Sequence, residues 1–548
     1  MQVKRPSPHR AAWPVALFFL ALLALGLLTA PGYGQPWDEP WEQDILRMNL
    51  NQYLAVVGSE TRLTLTSSVE KPTNGLITDS VERDHGECAY YPAFLLVTDA
   101  TLTDAQRMTL WHAYTWLWFM AGVAALWCIA RRLGLSRLLS AAAVLALVLS
   151  PRMFAEGHYN NKDFVLLALG LLTLWQAMRL MEKPVLRRAV WFALVGAAAA
   201  NTKIIGLAFW GMCALFVLLR QIAGRRMTRR VFGVGLMALL LFAGFYALLT
   251  PALWADPLGY LRYTLGNAAG FSRWNNEVLF GGTLYMPSRN PLPRWYLPWM
   301  IVLTTPLWVL ALIGIGQLLT LARLCKRPGN PLAEDVSATL LLCTLLWVLP
   351  LGYAVLARPN VYNGWRHFYF LYGPMLALAA YGLGRLHALL DRPRTPTLRR
   401  VGAGILALCM GMTAALMATA YPNEYTYYNA LTLRSDLPET YELDYWNVSA
   451  LQTLRAAADQ VPDGRTFSVT GSDYGSQNGL ESAWKLLSDA QRARLRVLPL
   501  GSIGATYTLS NTTYAAINGW KPKAEQPIVS QTRSFGQPLT TVYARVQP

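Results

Sequence analysis

The chain has 548 residues, 54% of them apolar and only 14% charged, with a net charge of +17. Ordinary soluble domains carry about 25% charged residues, so much of this surface does not face water. The apolar runs do not alternate with a period of two, which excludes a membrane β-barrel and leaves a polytopic helical membrane protein.

Taken in chain order, about eleven runs approach the length needed to cross a bilayer: 11–30, 109–130, 137–150, 164–181, 188–200, 204–219, 231–250, 297–322, 336–356, 367–386 and 400–420. The first is longer than a signal-peptide core and is followed by Pro31, so it reads as a retained helix. Basic residues mark every second connection. Lys4, Arg5 and Arg10 precede the first run; Arg131, Arg132 and Arg137 follow the second; Arg179, Lys183, Arg187 and Arg188 follow the fourth. Arg220, Arg225, Arg226, Arg229 and Arg230 follow the sixth; Arg323, Lys326 and Arg327 the eighth; Arg385, Arg392, Arg394, Arg399 and Arg400 the tenth. This is the positive-inside pattern. It predicts a cytoplasmic N-terminus, a C-terminus outside, and a basic charge that sets topology rather than binding nucleic acid. Cys88 alone among the cysteines falls in an outside connection, so no disulfide framework is expected.

The expected organisation is a transmembrane module over 1–420, with long outside loops at 31–108 and 251–296, and a soluble outer-face α/β domain over 421–548. In the latter, 449–461 has the pattern of an amphipathic helix, and "RTFSVTG", "ARLRVLPL" and "LTTVYARV" that of strands. The aromatic residues between Trp254 and Trp299, Trp274 among them, suit stacking on sugar faces or covering a site, although most fit an interfacial belt. The stretch 272–285, with Gly281 and Gly282, suits a mobile lid.

The positive-inside bias predicts few cations on the outer face, yet several groups gather there. Asp38 and Glu39 follow the first run in "GQPWDEPWEQD". His158, Asn160, Asn161, Lys162 and Asp163 sit in the second outside connection, Lys203 in the third, and Arg366 with His367 in the fifth. Lys162, Lys203 and Arg366 suit an anionic headgroup anchored in the outer leaflet, with His158, Asn161, Asp163 and His367 as further substrate contacts. Consecutive residues do not share a helix face. One of Asp38 and Glu39 is therefore expected to face a cleft while the other takes a hydrogen bond. Asp38 is also placed to cap a helix that starts near Pro40. No HExxH, paired-Cys or outside DxD pattern is present, so no metal site is favoured, although Asp38 and Glu39 could hold a divalent ion together with a substrate phosphate.

"WDEP", "PRMFAEGHYNNKD", and "TK" with Gly206, together with "PRWYLPWMIVLTTPL", "NGWRHFYFLYGP", "YPNEYTYYN" and "YELDYW", form an ordered set that resembles family-39 glycosyltransferases. These belong to the GT-C class, with protein O-mannosyltransferases and aminoarabinose transferases as relatives. Many members read Pro where this chain has Asn161. The resemblance implies an inverting transferase that moves a sugar from a polyprenyl-phosphate donor to a hydroxyl of a lipid, protein or glycan. The expected location is the outer face of the inner (plasma) membrane. It makes Asp38 the first choice for the catalytic base and Glu39 the second. A polyprenyl-linked glycan ligase is the neighbouring alternative. A transporter or lipid flippase is the other, but it would want charges at the bilayer midplane and internal repeats, and neither is evident.

Overall fold

A computed structural model describes residues 13–66, 74–270, 274–326, 329–391, 396–462, 465–523 and 525–545. The basic residues expected at Lys4, Arg5, Arg10, Arg327, Arg392 and Arg394, and positions 272–273 of the expected lid, lie outside the described residues. Within the described residues the apolar runs are mostly helical, but 297–322 is broken at Thr305–Pro306 into the helices Tyr296–Thr304 and Leu307–Lys326. Among the described residues, 8 helices are individually long and apolar enough to span a bilayer, and the bent pair Arg137–Val148 and Pro151–Tyr159 makes one further broken span. The runs at 188–200 and 367–386 form the helices Leu186–Thr202 and Tyr372–Leu390 without meeting that test. The chain is a multi-pass membrane protein with a largely helical fold and a small sheet toward its C-terminus.

The helix Asp163–Glu182 is the hub. Its apolar side chains point in every direction, the pattern of a helix enclosed on all sides. The helices Asp104–Arg132, Leu186–Thr202 and Ile205–Ala223 pack around it. Elsewhere glycine permits a close crossing. A Cβ on Gly316 would lie 2.0 Å from the Leu378 carbonyl oxygen, and one on Gly382 would lie 2.7 Å from the Gly316 nitrogen. The backbones of Leu307–Lys326 and Tyr372–Leu390 therefore touch, as small residues allow between membrane helices.

Three features lead to the functional region. First, 151–159 is a helix rather than the open connection expected there. Pro151 begins it, Ser150 bonds both the Ala146 carbonyl and the Tyr372 hydroxyl, and the chain turns by 71°. Pro is favoured at a helix start and cannot continue the preceding ladder, so the bend is written locally. Second, Glu39–Val56 is a helix lying outside the spans, with much of its polar face buried. Third, strands β1 (Val278–Phe280) and β2 (Thr283–Tyr285) form a hairpin turning on Gly281 and Gly282, both with positive φ as a two-residue turn requires. The expected lid is thus tied down here. Gly282 N donates to the Thr440 carbonyl and Phe280 bridges to Tyr441.

Beyond the last long helix, Pro396–Ala420, the segment 421–448 packs back on the helices. Asn429 Nδ2 donates to the Val302 and Thr305 carbonyls, and Tyr33 Oη donates to Glu424. The helix Ser449–Asp459 then leads into a sheet of β3 (Phe467–Gly471), β4 (Leu495–Val497), β5 (Tyr507–Asn511), β6 (Ile528–Ser534) and β7 (Gln537–Ala544). Their order is β4-β3-β5-β7-β6, with β3 parallel to both neighbours and β7 antiparallel to both of its own. The three expected strands correspond to β3, β4 and β7.

Candidate active site

Asp38, Pro36 and Trp41 around the start of Glu39–Val56, the turn 159–163, Lys203 and the segment 359–370 enclose a cavity of about 590 Å³. Asp38 stands at the N-cap position, but its side chain makes no capping hydrogen bond. It accepts instead from Arg366 Nη1 at 3.1 Å. The structure thus corrects the expected cap: the carboxylate is aimed across the cavity rather than along its own helix. The Asp38 side chain is 37% exposed and borders that cavity. Enclosure raises the Asp38 carboxyl above its ordinary value; the Arg366 charge opposes the rise and Glu42 adds to it.

Glu39 behaves differently. Its carboxylate is 1% exposed and accepts from Gln35 and Gln43, while its second oxygen meets His112 Nε2 at 2.8 Å. Glu39 borders the cavity, and both its oxygens are engaged within the protein. The second acid on the Asp38 side is Glu42, one helical turn on, where i and i+4 share a face. Glu42 Oε1 pairs with Lys162 Nζ at 2.7 Å, and its other oxygen is buried without a hydrogen-bond partner. Lys162 Nζ also contacts His85 Nδ1 at 2.9 Å. Burial alone would lower the Lys162 ammonium, but Glu42, Glu87 and Glu82 together hold it above its usual range.

Lys203 pairs with Asp163 Oδ1, and Arg366 Nη1 lies 4.0 Å from Asp163 Oδ2. Asn160 fixes this corner: its Oδ1 accepts from Asp163 N at 2.9 Å, and its Nδ2 donates to Glu156 at 2.7 Å. Glu156 is wholly buried and accepts from the hydroxyls of Tyr369 and Tyr445. Asn161 Nδ2 reaches Glu87, and His367 packs edge-on against Tyr362. Of the residues expected from sequence, Asp38, Glu39, Asn161, Lys162, Asp163, Lys203, Arg366 and His367 all border the one cavity. His158 does not. It is wholly buried, stacked on Trp116 with ring centroids 4.4 Å apart, and bonded to Phe154 O and Gly26 O. Its part is to join the bent helix to the first span.

Trp274, one of the aromatics read from sequence, borders the cavity; Glu42, Tyr159, Tyr362 and Trp446, which also border it, and Glu442, which is buried near Arg366, were missed. Glu42 was legible from its spacing to Asp38; Tyr159, Glu442 and Trp446 fall inside quoted motifs without having been singled out. Glu82, Asp84 and His85, on the rim, bring ligand atoms within 4.8 Å of one another. Asp84, however, accepts from Asn267, His85 pairs with Glu82, and the Lys162 ammonium sits on His85 Nδ1. A divalent ion would have to displace that ammonium.

ArnT from Cupriavidus metallidurans in the apo state superposes with a TM-score of 0.50 at 13% identity, covering 98% of both chains. The chain has a GT-C fold. The same ArnT bound to undecaprenyl phosphate gives a TM-score of 0.48 at 13% identity, over 97% of this chain and 98% of that one. The apo Archaeoglobus fulgidus oligosaccharyltransferase gives 0.47 at 11%, over 93% and 72%. At such identities the likeness is one of fold. No protein-family model matches the chain, and no curated protein matches it in sequence. Within this GT-C fold, the cavity takes its residues both from helices, among them Glu42, Ile205 and Tyr353, and from the segments that join them.

Proposed function

We propose that the protein is an inverting glycosyltransferase that moves a sugar from a polyprenyl-phosphate donor to a hydroxyl acceptor on the outer face of the plasma membrane. The observation that carries this reading is the convergence of Asp38 with Lys162, Lys203 and Arg366 around one cavity. That cavity also has an apolar side. Ile205, Leu349 and Tyr353 border it and are exposed on the surface of helices that meet the bilayer. A donor with its phosphate among the cations and its chain in the leaflet suits both halves.

In the transfer, the bond between the anomeric carbon and the phosphate oxygen breaks, and the phosphate leaves with the electron pair. A phosphate needs no general acid; it needs positive charge where negative charge develops, and preorganised charge of this kind is worth several kcal/mol in a water-poor site. Lys162, Lys203 and Arg366 supply it. The acceptor oxygen forms the new bond from the opposite side while its proton passes to Asp38, which inverts the anomeric centre. The raised basicity of Asp38 suits it to that proton. No metal or other cofactor is invoked.

The test is purified protein in proteoliposomes with radiolabelled polyprenyl-phosphate sugars and a panel of lipid, glycan and peptide acceptors. Transfer with inverted stereochemistry supports the reading. Movement of labelled lipid between leaflets without any transfer overturns it in favour of a flippase.

A further inference from the structure

Arg366 follows a turn in which Asn363 and Gly364 both take positive φ, at 55° and 71°. The turn delivers its guanidinium into the cavity wall, 3.1 Å from Asp38 and 4.0 Å from Asp163. An arginine between two carboxylates ordinarily closes on one of them with both prongs of its fork. Here one nitrogen reaches Asp38, and Nε is buried without a partner.

What lies against the guanidinium is aromatic. Its central carbon is 4.4 Å from the Trp446 ring centroid and 4.9 Å from that of Tyr362. Tyr362 is in turn stacked on Trp274, with centroids 3.9 Å apart and planes 12° from parallel. Trp446 is fixed through its backbone N–H, which donates to Tyr425 Oη at 3.1 Å. Trp274 is held by Asn360, which donates to its carbonyl. Rings from two segments far apart in sequence therefore meet at one cation, and Trp274 from a third backs Tyr362. Arginine stacks on aromatic faces with its in-plane N–H groups still available, which a lysine cannot do.

We infer that Trp446 and Tyr362 are positioning residues that fix the plane of the Arg366 guanidinium, keeping its fork off Asp38 and turned to the donor phosphate. This rests on the sugar-transfer reading and adds that the C-terminal segment shares in building the site. Without the rings the fork closes on Asp38. The phosphate then loses a ligand and the base becomes weaker at once. The other groups facing Asp38 are Glu42, Lys162, Tyr362 and Tyr514, and those facing Arg366 are Asp163, His367, Glu442, Tyr445 and Tyr514. Replacing Trp446 leaves all of them in place.

The experiment compares Trp446→Phe, Trp446→Leu, Tyr362→Phe and Tyr362→Leu, each checked for thermal unfolding in detergent. Two readouts are taken: affinity for a polyprenyl monophosphate by calorimetry, and transfer kinetics across pH. The leucine variants are expected to weaken phosphate affinity at least tenfold, lower kcat at least tenfold, and move the acid limb of the pH profile to lower pH. The phenylalanine variants should stay within threefold of wild type. In an Arg366→Lys background, which has no plane to hold, adding Trp446→Leu should cost less than threefold more. Equal losses for Leu and Phe, additive losses in the lysine background, or an unmoved acid limb would overturn the inference. If Trp446→Leu does not fold, Tyr362→Leu against Tyr362→Phe decides it. If wild type binds the phosphate but transfers nothing, the proposed function fails while the calorimetry still judges the rings.

Discussion

Replacing Asp38 by Asn is the most direct trial of the proposed chemistry. The change is nearly isosteric, and the amide oxygen can still accept from Arg366 Nη1, which lies 3.1 Å from the carboxylate in the native protein. Donor binding should therefore hold, with its KM within about threefold, while the acceptor loses its base. A positioned general base contributes about 10²–10⁴ in rate, equivalent to about 2.7–5.5 kcal/mol of barrier at 1.36 kcal/mol per tenfold. Asp38→Glu keeps the base but advances it by one methylene; a misplacement of about 1 Å is worth roughly 10²-fold. Initial rates in proteoliposomes, with kcat and donor KM separated, measure both variants. Because the base works deprotonated, wild-type kcat/KM should fall as pH drops through the Asp38 pKa, which enclosure has raised, and Asp38→Asn should abolish that limb. A kcat within threefold of wild type for Asp38→Asn would refute the assignment.

Glu39→Gln should act on stability instead. The new amide faces the Gln35 and Gln43 donors and His112. Leaving buried groups unmatched costs about 1–3 kcal/mol, so the unfolding midpoint should drop while kcat holds within twofold; a hundredfold loss of kcat at unchanged stability would make Glu39 the reactive acid. Lys203→Met strips the ion-pair partner from Asp163, which is 3% exposed and retains Arg366 only at 4.0 Å. Breaking a buried pair costs about 3–5 kcal/mol; adding Asp163→Asn should restore thermal stability without restoring donor KM, and full rescue of both would remove Lys203 from donor binding. Burial raises Glu442 to about 8, so the folded protein retains a proton that the unfolded chain releases near an ordinary glutamate value of about 4.3. The associated stability is fully present below about 4.3 and is lost as pH rises through about 8. Glu442→Gln should flatten the unfolding midpoint across that window, and parallel curves for the two proteins would contradict the burial argument.

The spans were legible because twenty-residue apolar runs and basic connections are dictated by the bilayer itself. The bend at Pro151 was less so: proline signals a break, but the Tyr372 hydroxyl that braces it comes from another helix. The same divide separates the site residues. Asp38, Lys162, Lys203 and Arg366 stood out as charges beside spans, where charge is expensive. His158 shared their neighbourhood in sequence, yet helical geometry turned it inward onto Trp116. Glu39 and Glu42 differ only in which way the helix faces them. Trp446 closes the quoted "YELDYW" but, like Tyr362, could not be assigned to Arg366, since an aromatic residue near a membrane is ordinary until its neighbour is known. In the C-terminal sheet, β5 and β6 went unread because their polar Thr, Ser and Gln residues blur the apolar alternation that marked β3.

The stacking of Trp446 on Arg366, beside Asp38, joins the last third of the polypeptide to its opening segment. A ribosome-bound chain that has inserted its early helices holds an acid without the rings that organise its partner. The cavity is complete only once the segment carrying Trp446 has docked beside Arg366 and Asp38. A chain cut between Ala420 and Trp446 would therefore keep its long helices and lose one wall of the cavity, and such a truncation should bind no donor while its helices still insert.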